Sequence, residues 1–156
     1  MNRFDGNLYE RERALNTALV RADLTDGFET YLEIFDAFYA DDIEFTGDRP
    51  IRGKAKVRSL LFNFLAPLHL MAEVGGLSIS VRAVSVHGDA PNQTHSEWTL
   101  DLAGVSRATT LRWSTLRKWS GSHVVYERHY DHRQSGGPLT LDDFRSLDTA
   151  GANAGR

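Results

Sequence analysis

Apolar side chains recur with a helical period before Leu77 and with a period of two after it. Residues 8–21, LYERERALNTALVR, place Leu8, Leu15, Ala18 and Leu19 near one stripe with charges opposite, which predicts an amphipathic helix. Phe28, Tyr31, Leu32, Phe35 and Phe38 predict a second helix with a broad aromatic face, capped by Thr25 or Asp26. Ile43 to Thr46 alternates as a short strand and runs into the turn Gly47-Asp48-Arg49-Pro50. A third helix is predicted from Lys54 to about Leu65, with Val57, Leu60, Leu61 and Phe64 on its apolar stripe and Pro67 helping to end it. Four long strands follow, Leu77 to His87, Gln93 to Leu102, Val105 to Lys118 and His123 to Tyr130. The last two form a hairpin at Ser120-Gly121-Ser122, where the glycine can take a positive φ.

Short connections imply an antiparallel meander. The expected fold class is therefore α+β, a cone-shaped, barrel-like domain with three N-terminal helices packed on a strongly curved, mostly antiparallel sheet. Such a sheet and so few helices leave space between them, so a pocket is expected at the open end. Pro138 to Leu147 offers one or two helical turns, and the stretch from Thr149 onward has no large apolar side chain to anchor it. The expectation is one domain over residues 1–135 and a largely disordered tail over 136–156.

A formal charge of −3, with basic and acidic residues interspersed, gives no footprint for nucleic acid. The absence of cysteine excludes disulfides and thiolate chemistry. No apolar run approaches the roughly 20 residues that span a bilayer, and Met1 to Glu10 lacks the apolar core of a signal peptide, so no membrane association and a cytoplasmic location are expected. Phosphate loops and dinucleotide fingerprints are missing, so no cofactor is expected. His123 and His129 lie too far apart along an extended strand, and His129 and His132 face opposite ways, so no metal site is expected.

Candidate chemistry lies on the strands. His95 and Glu97 are two apart and share a face, about 6.5–7 Å between Cα atoms, and Arg112 on the next strand shares it. Were that face buried, Glu97 paired with Arg112 or Arg128 would stay ionised and hold His95 in one tautomer, a general base with its orienter. The opposite face carries Trp98, Leu100, Leu102, Leu111 and Trp113. Hydrophobic patterning alone turns that second face toward the helices and leaves the charges as an outer ion-pair network.

Three motifs resemble the nuclear transport factor 2-like superfamily, specifically its SnoaL-like branch. They are Phe38-Tyr39-Ala40-Asp41-Asp42-Ile43-Glu44-Phe45, then Pro50-Ile51-Arg52-Gly53, and the closing Trp119-Ser120-Gly121-Ser122-His123-Val124-Val125-Tyr126-Glu127-Arg128-His129-Tyr130-Asp131, together covering about residues 20–133. The family includes polyketide cyclases, ketosteroid isomerases and limonene epoxide hydrolases, and members that only bind or dimerise. The resemblance implies that the face with His95, Glu97, Arg112 and Arg128 is inward. Arg128 stands where hydrolase-like members present an acid, and His95-Ser96-Glu97 lies over their Arg-x-Asp pair. Ile43 and Phe45 fall on positions that hold the attacking water there, which speaks against epoxide hydrolysis by that route. Asp48 lies one residue from Gly47, the position matching the general base of ketosteroid isomerases.

The implied catalytic set is His95, Glu97, Arg128 and Asp48, with Tyr31, Phe35, Phe45, Arg112, Tyr126 and Tyr130 around the ligand. The resemblance also implies a homodimer through the back of the sheet, burying Trp98, Leu111 and Trp113 against a partner. The expected function is a small-molecule-binding domain with cofactor-free acid/base chemistry, of isomerase, cyclase or hydratase type, on a mostly apolar, carbonyl-bearing ligand. The alternative is a non-catalytic ligand-binding or dimerisation module whose charges are structural ion pairs.

Overall fold

The computed structural model describes residues 5–22, 27–47, 49–73, 77–86, 90–104 and 107–136. Its elements are α1 (Asp5–Arg21), α2 (Phe28–Phe38), β1 (Tyr39–Thr46), β2 (Pro50–Arg52), α3 (Lys54–Glu73), β3 (Ser78–Val86), β4 (Gln93–Ala103), β5 (Ala108–Ser120) and β6 (His123–Gly136). The six strands form one sheet in the order β2-β1-β6-β5-β4-β3, which does not close on itself. Every neighbouring pair is antiparallel except β1 with β6. The α+β layout of three helices against a curved, mostly antiparallel sheet is the one expected.

Three boundaries differ, each for a physical reason. Helix α3 continues to Glu73 with Pro67 inside it. The proline forfeits one backbone hydrogen bond, and the second half is kept by packing, because His69 is buried and lies 5.5 Å from the Phe28 ring on α2. Strand β6 runs on to Gly136 because Asp131, at φ 54°, absorbs an irregularity in the pairing with β5 and lets Arg112 to Thr109 find partners again. Strand β1 begins at Tyr39, which pairs with Val124 across an irregularity before Glu44. The capping role given to Thr25 or Asp26 and the expected tail both fall outside the described residues; α2 itself follows Gly27 without a side-chain cap.

The phase of the sheet is the finding that matters most for function. On β4 the buried side chains are Thr94, Ser96, Trp98, Leu100 and Leu102, so His95 and Glu97 point outward. On β5 the pattern matches, with Thr109, Thr115, Arg117 and Trp119 buried and Arg112 exposed. The expected phase is corrected here. Each large apolar side chain turned inward gains about 1.5–3 kcal/mol, whereas burying His95, Glu97 and Arg112 would carry a desolvation cost. Trp98, Leu100 and Leu102 therefore join Leu8, Leu15 and Leu19 of α1, Phe35 of α2 and Val57 of α3 in the core.

Helix α1 packs on β3 and β4, while α3 packs on β1, β2 and α2. Space is left between α3 and the inner faces of β4, β5 and β6.

Candidate functional site

A cavity of about 470 Å³ occupies that space. Its walls are apolar and largely aromatic, with Tyr31 and Phe35 from α2, Phe45 from β1, Leu68 from α3 and Trp98 and Trp113 from the sheet. Trp98 and Trp113 are cross-strand partners, their rings 6.0 Å apart and nearly parallel. Polar groups line it as well, Tyr39, Arg117, Glu127 and His129 joined in one network, and His69, Arg112, His132, Arg133 and Gln134 besides.

The first four belong to a buried network built from both ends of the chain. Arg117 is 2% exposed and donates from Nη1 to Glu12 (2.7 Å) and to the Asn16 side-chain oxygen (2.8 Å), and from Nε to Glu127 and the Tyr39 hydroxyl. Glu12, on α1, also accepts from Thr94 (2.8 Å) and Ser96 (2.6 Å) of β4. Glu127 further accepts from the Tyr39 hydroxyl and lies 3.0 Å from His129 Nε2. The His129 ring packs 4.9 Å from Phe45 and 6.1 Å from Trp113.

The charges in this network are fixed by their surroundings. Burial, the largest single influence, would raise the Glu127 carboxyl, but the Arg117 guanidinium, His129 and Tyr39 together outweigh it and hold the group far below the usual carboxylate range. Burial pushes the Tyr39 phenol well up, and the neighbouring Glu127 carboxylate adds to the effect against Arg117. Burial works against the Arg117 charge, yet Glu12, Tyr39 and Glu127 more than restore it. An ionised carboxylate only accepts, so His129 Nε2 carries the proton toward Glu127 and Nδ1 keeps its lone pair in the neutral ring. The result is an imidazole oriented by a carboxylate, the geometry expected at His95 and Glu97.

Because the Glu127 carboxyl is depressed in the fold, its stabilising contribution is present above its ordinary value of 4.5 and is lost progressively as the pH falls below it. Urea denaturation at pH 7 and pH 3.5 should show lower stability at the acid value. Equal stability at the two would show that Glu127 is not charge-paired in the fold.

The sequence-derived residues divide cleanly. Tyr31, Phe35 and Phe45 line the cavity, and exposed Arg112 borders it. His95, Glu97, Arg128, Tyr126 and Tyr130 lie on the outer face of the sheet. There Tyr130 lies 3.4 Å from His95 Nδ1, the Arg128 guanidinium sits 5.7 Å from the Tyr130 ring, and Lys118 stands 4.8 Å from Tyr126. Arg128 is displaced because β6 has an irregularity opposite Lys118 and Trp119, which turns Val124, Glu127 and His129 inward. Asp48 lies outside the described residues. Trp98, Leu111 and Trp113 line the cavity and so are not a back face available to a partner chain.

Glu12, Asn16, Tyr39, Arg117, Glu127 and His129 were missed as site residues. A signal existed, since Glu12 and Asn16 fall within the stripe of Leu8, Leu15 and Leu19, and Arg117 alternates in step with Trp113 and Trp119. Among the described residues no three His, Asp or Glu side chains are grouped to hold a metal ion, and no helix is long and apolar enough to cross a membrane.

No family model and no curated protein matches this sequence. Solved structures do match its fold. The Rv0760c protein of Mycobacterium tuberculosis superposes with a TM-score of 0.57 at 13% identity, over 81% of this chain and 96% of its own. An LEH-like epoxide hydrolase of Mycobacterium tuberculosis gives 0.53 at 17% identity, over 93% and 94% of the two chains. A SnoaL-like protein of Mesorhizobium loti, assigned as a polyketide cyclase, gives 0.51 at 16% identity, over 79% and 97%. The motifs, the element order and these superpositions agree, and the chain has the nuclear transport factor 2-like fold in the form shared with SnoaL-like proteins.

Proposed function

We propose that this chain binds a mostly apolar, carbonyl-bearing small molecule in its cavity and moves a proton on it by cofactor-free acid/base chemistry. The observation that carries this reading is the His129–Glu127 pair set into a largely aromatic cavity, with Glu127 held ionised by Arg117. Neighbours in fold that are assigned as a polyketide cyclase and an epoxide hydrolase support a small-molecule role.

The chemistry follows from the proton inventory. Neutral His129 accepts a proton at Nδ1 from a carbon next to the ligand carbonyl, and the electron pair of the C–H bond moves onto the carbonyl oxygen. The imidazolium so formed is stabilised by the Glu127 carboxylate at Nε2, and it returns the proton at the same or another carbon. Glu127 itself, held far below the usual carboxylate range, has little affinity for a proton and serves as orienter and counter-charge. Aromatic walls keep water from competing for the reacting groups.

The alternative is a non-catalytic ligand-binding or dimerisation module, favoured by the way Glu12 and Asn16 use Arg117 to tie α1 to the sheet. In that reading the outer sheet face, with Val84 and Val86 exposed, is the surface for a second copy. Thermal unfolding across a library of hydrophobic ketones, esters and acids tests the binding reading. A ligand present at 100 times its dissociation constant stabilises the fold by about 2.7 kcal/mol. No shift across the library would contradict a binding cavity.

A further inference from the structure

Arg117 has five N–H donors in a planar fork, and the network uses only part of them. The Nε hydrogen is shared by Tyr39 and Glu127, and the two on Nη1 are taken by Glu12 and Asn16. Nη2 makes no hydrogen bond to any described residue, although the side chain is 2% exposed. Nη2 is not among the fully enclosed polar atoms that lack a partner, so it keeps accessible surface, and Arg117 borders the cavity. His129, whose Nδ1 is also without a described partner, borders the same space.

We propose that Arg117 is a ligand-contacting, specificity-determining residue whose free Nη2 receives an oxygen acceptor of the ligand beside His129. This rests on the reading of the cavity as a ligand site and narrows it to one chemical class. Arg117 is already shared by two carboxylates, Glu12 and Glu127, so the network carries one more carboxylate than guanidinium. Arg112 and Arg133 also border the cavity but pair with neither Glu12 nor Glu127, so a third carboxylate placed at Nη2 itself would be unfavourable, whereas a neutral ketone or ester oxygen completes the donor set without adding charge. If a proton passes from the ligand to His129 Nδ1, the electron pair it leaves comes to rest on the oxygen that Nη2 holds.

Three probes of one skeleton separate these possibilities by calorimetric titration of the full chain: 2-acetylnaphthalene, 2-ethylnaphthalene and 2-naphthoate. The ketone should bind at least about ten-fold more tightly than the ethyl compound, the advantage of a charged donor meeting an acceptor, and more tightly than the carboxylate. The carbonyl carbon of the bound ketone, labelled with carbon-13, should move downfield. In Arg117→Lys both the preference for the ketone and the carbonyl shift should largely disappear. Equal binding of ketone and ethyl compound, with no carbonyl shift, would overturn the assignment of Nη2 and leave the cavity reading standing. Tightest binding by naphthoate would overturn the preference for a neutral oxygen. Failure of all three to bind would overturn the cavity reading together with this one. Should Arg117→Lys not fold, the comparison of probes on the unaltered chain still decides.

Discussion

Replacing Arg117 by methionine is expected to remove about 3–5 kcal/mol of stability or more, because it leaves two buried carboxylates, Glu12 and Glu127, facing each other without their shared cation. That is a large share of the roughly 5–15 kcal/mol that holds an ordinary domain together. The loss should be reduced when the same change is made with Glu12→Gln and Glu127→Gln, since the uncompensated charges are then absent. Urea denaturation, followed by circular dichroism, measures both. A loss below about 1 kcal/mol for Arg117→Met would mean that the network is half-wet and worth no more than a surface pair.

His129→Gln is expected to lower proton transfer by about 10²–10⁴-fold while changing stability by little, because general base catalysis contributes on that scale and the ring is only partly buried. Exchange of the acetyl protons of 2-acetylnaphthalene for deuterium, read by NMR, provides an assay that does not depend on the natural substrate. Glu127→Gln should impair exchange as well, since an amide cannot balance the imidazolium charge. His95→Ala and Glu97→Gln should leave it unchanged, because both side chains lie on the outer face. The reverse outcome, loss with His95→Ala and retention with His129→Gln, would move the site to the other side of the sheet. No exchange by the unaltered protein would favour the non-catalytic alternative.

The periods of the chain carried the fold. Leu8, Leu15 and Leu19 and the aromatic face of Phe28, Tyr31 and Phe35 placed two helices, and alternation placed every strand but the short β2, with the last one stopped at Tyr130 although it runs to Gly136. What alternation cannot supply is the sign of the phase. A strand shifted by one residue exposes its other set, and only the competition between Trp98, Leu100 and Leu102 on one side and His95 and Glu97 on the other decides it. Hydrophobic patterning had the answer, and the resemblance in the closing motif pointed away from it. The irregularity on β6 opposite Lys118 and Trp119 is the reason, because it makes Glu127, and not its neighbour Arg128, the inward residue. A bulge is a local backbone event with no clear mark in the sequence Val124-Val125-Tyr126 where it falls. Arg117 and Glu12 were hidden for a different reason. Each falls on the apolar side of its own element, but the partner that lets its charge be buried there comes into view only when α1 is laid on β3 and β4 and brings Glu12 to Arg117.

If the functional face is the inner one, His129, Glu127 and Arg117 border the cavity that holds the ligand. Intermolecular nuclear Overhauser contacts from 2-acetylnaphthalene bound to the isotope-labelled protein test this most directly. Contacts are expected from the naphthyl ring to Trp98, Trp113 and Phe45 and from the acetyl methyl to the His129 ring. Contacts to His95, Tyr130 or Tyr126, with none to Trp113 or His129, would contradict it.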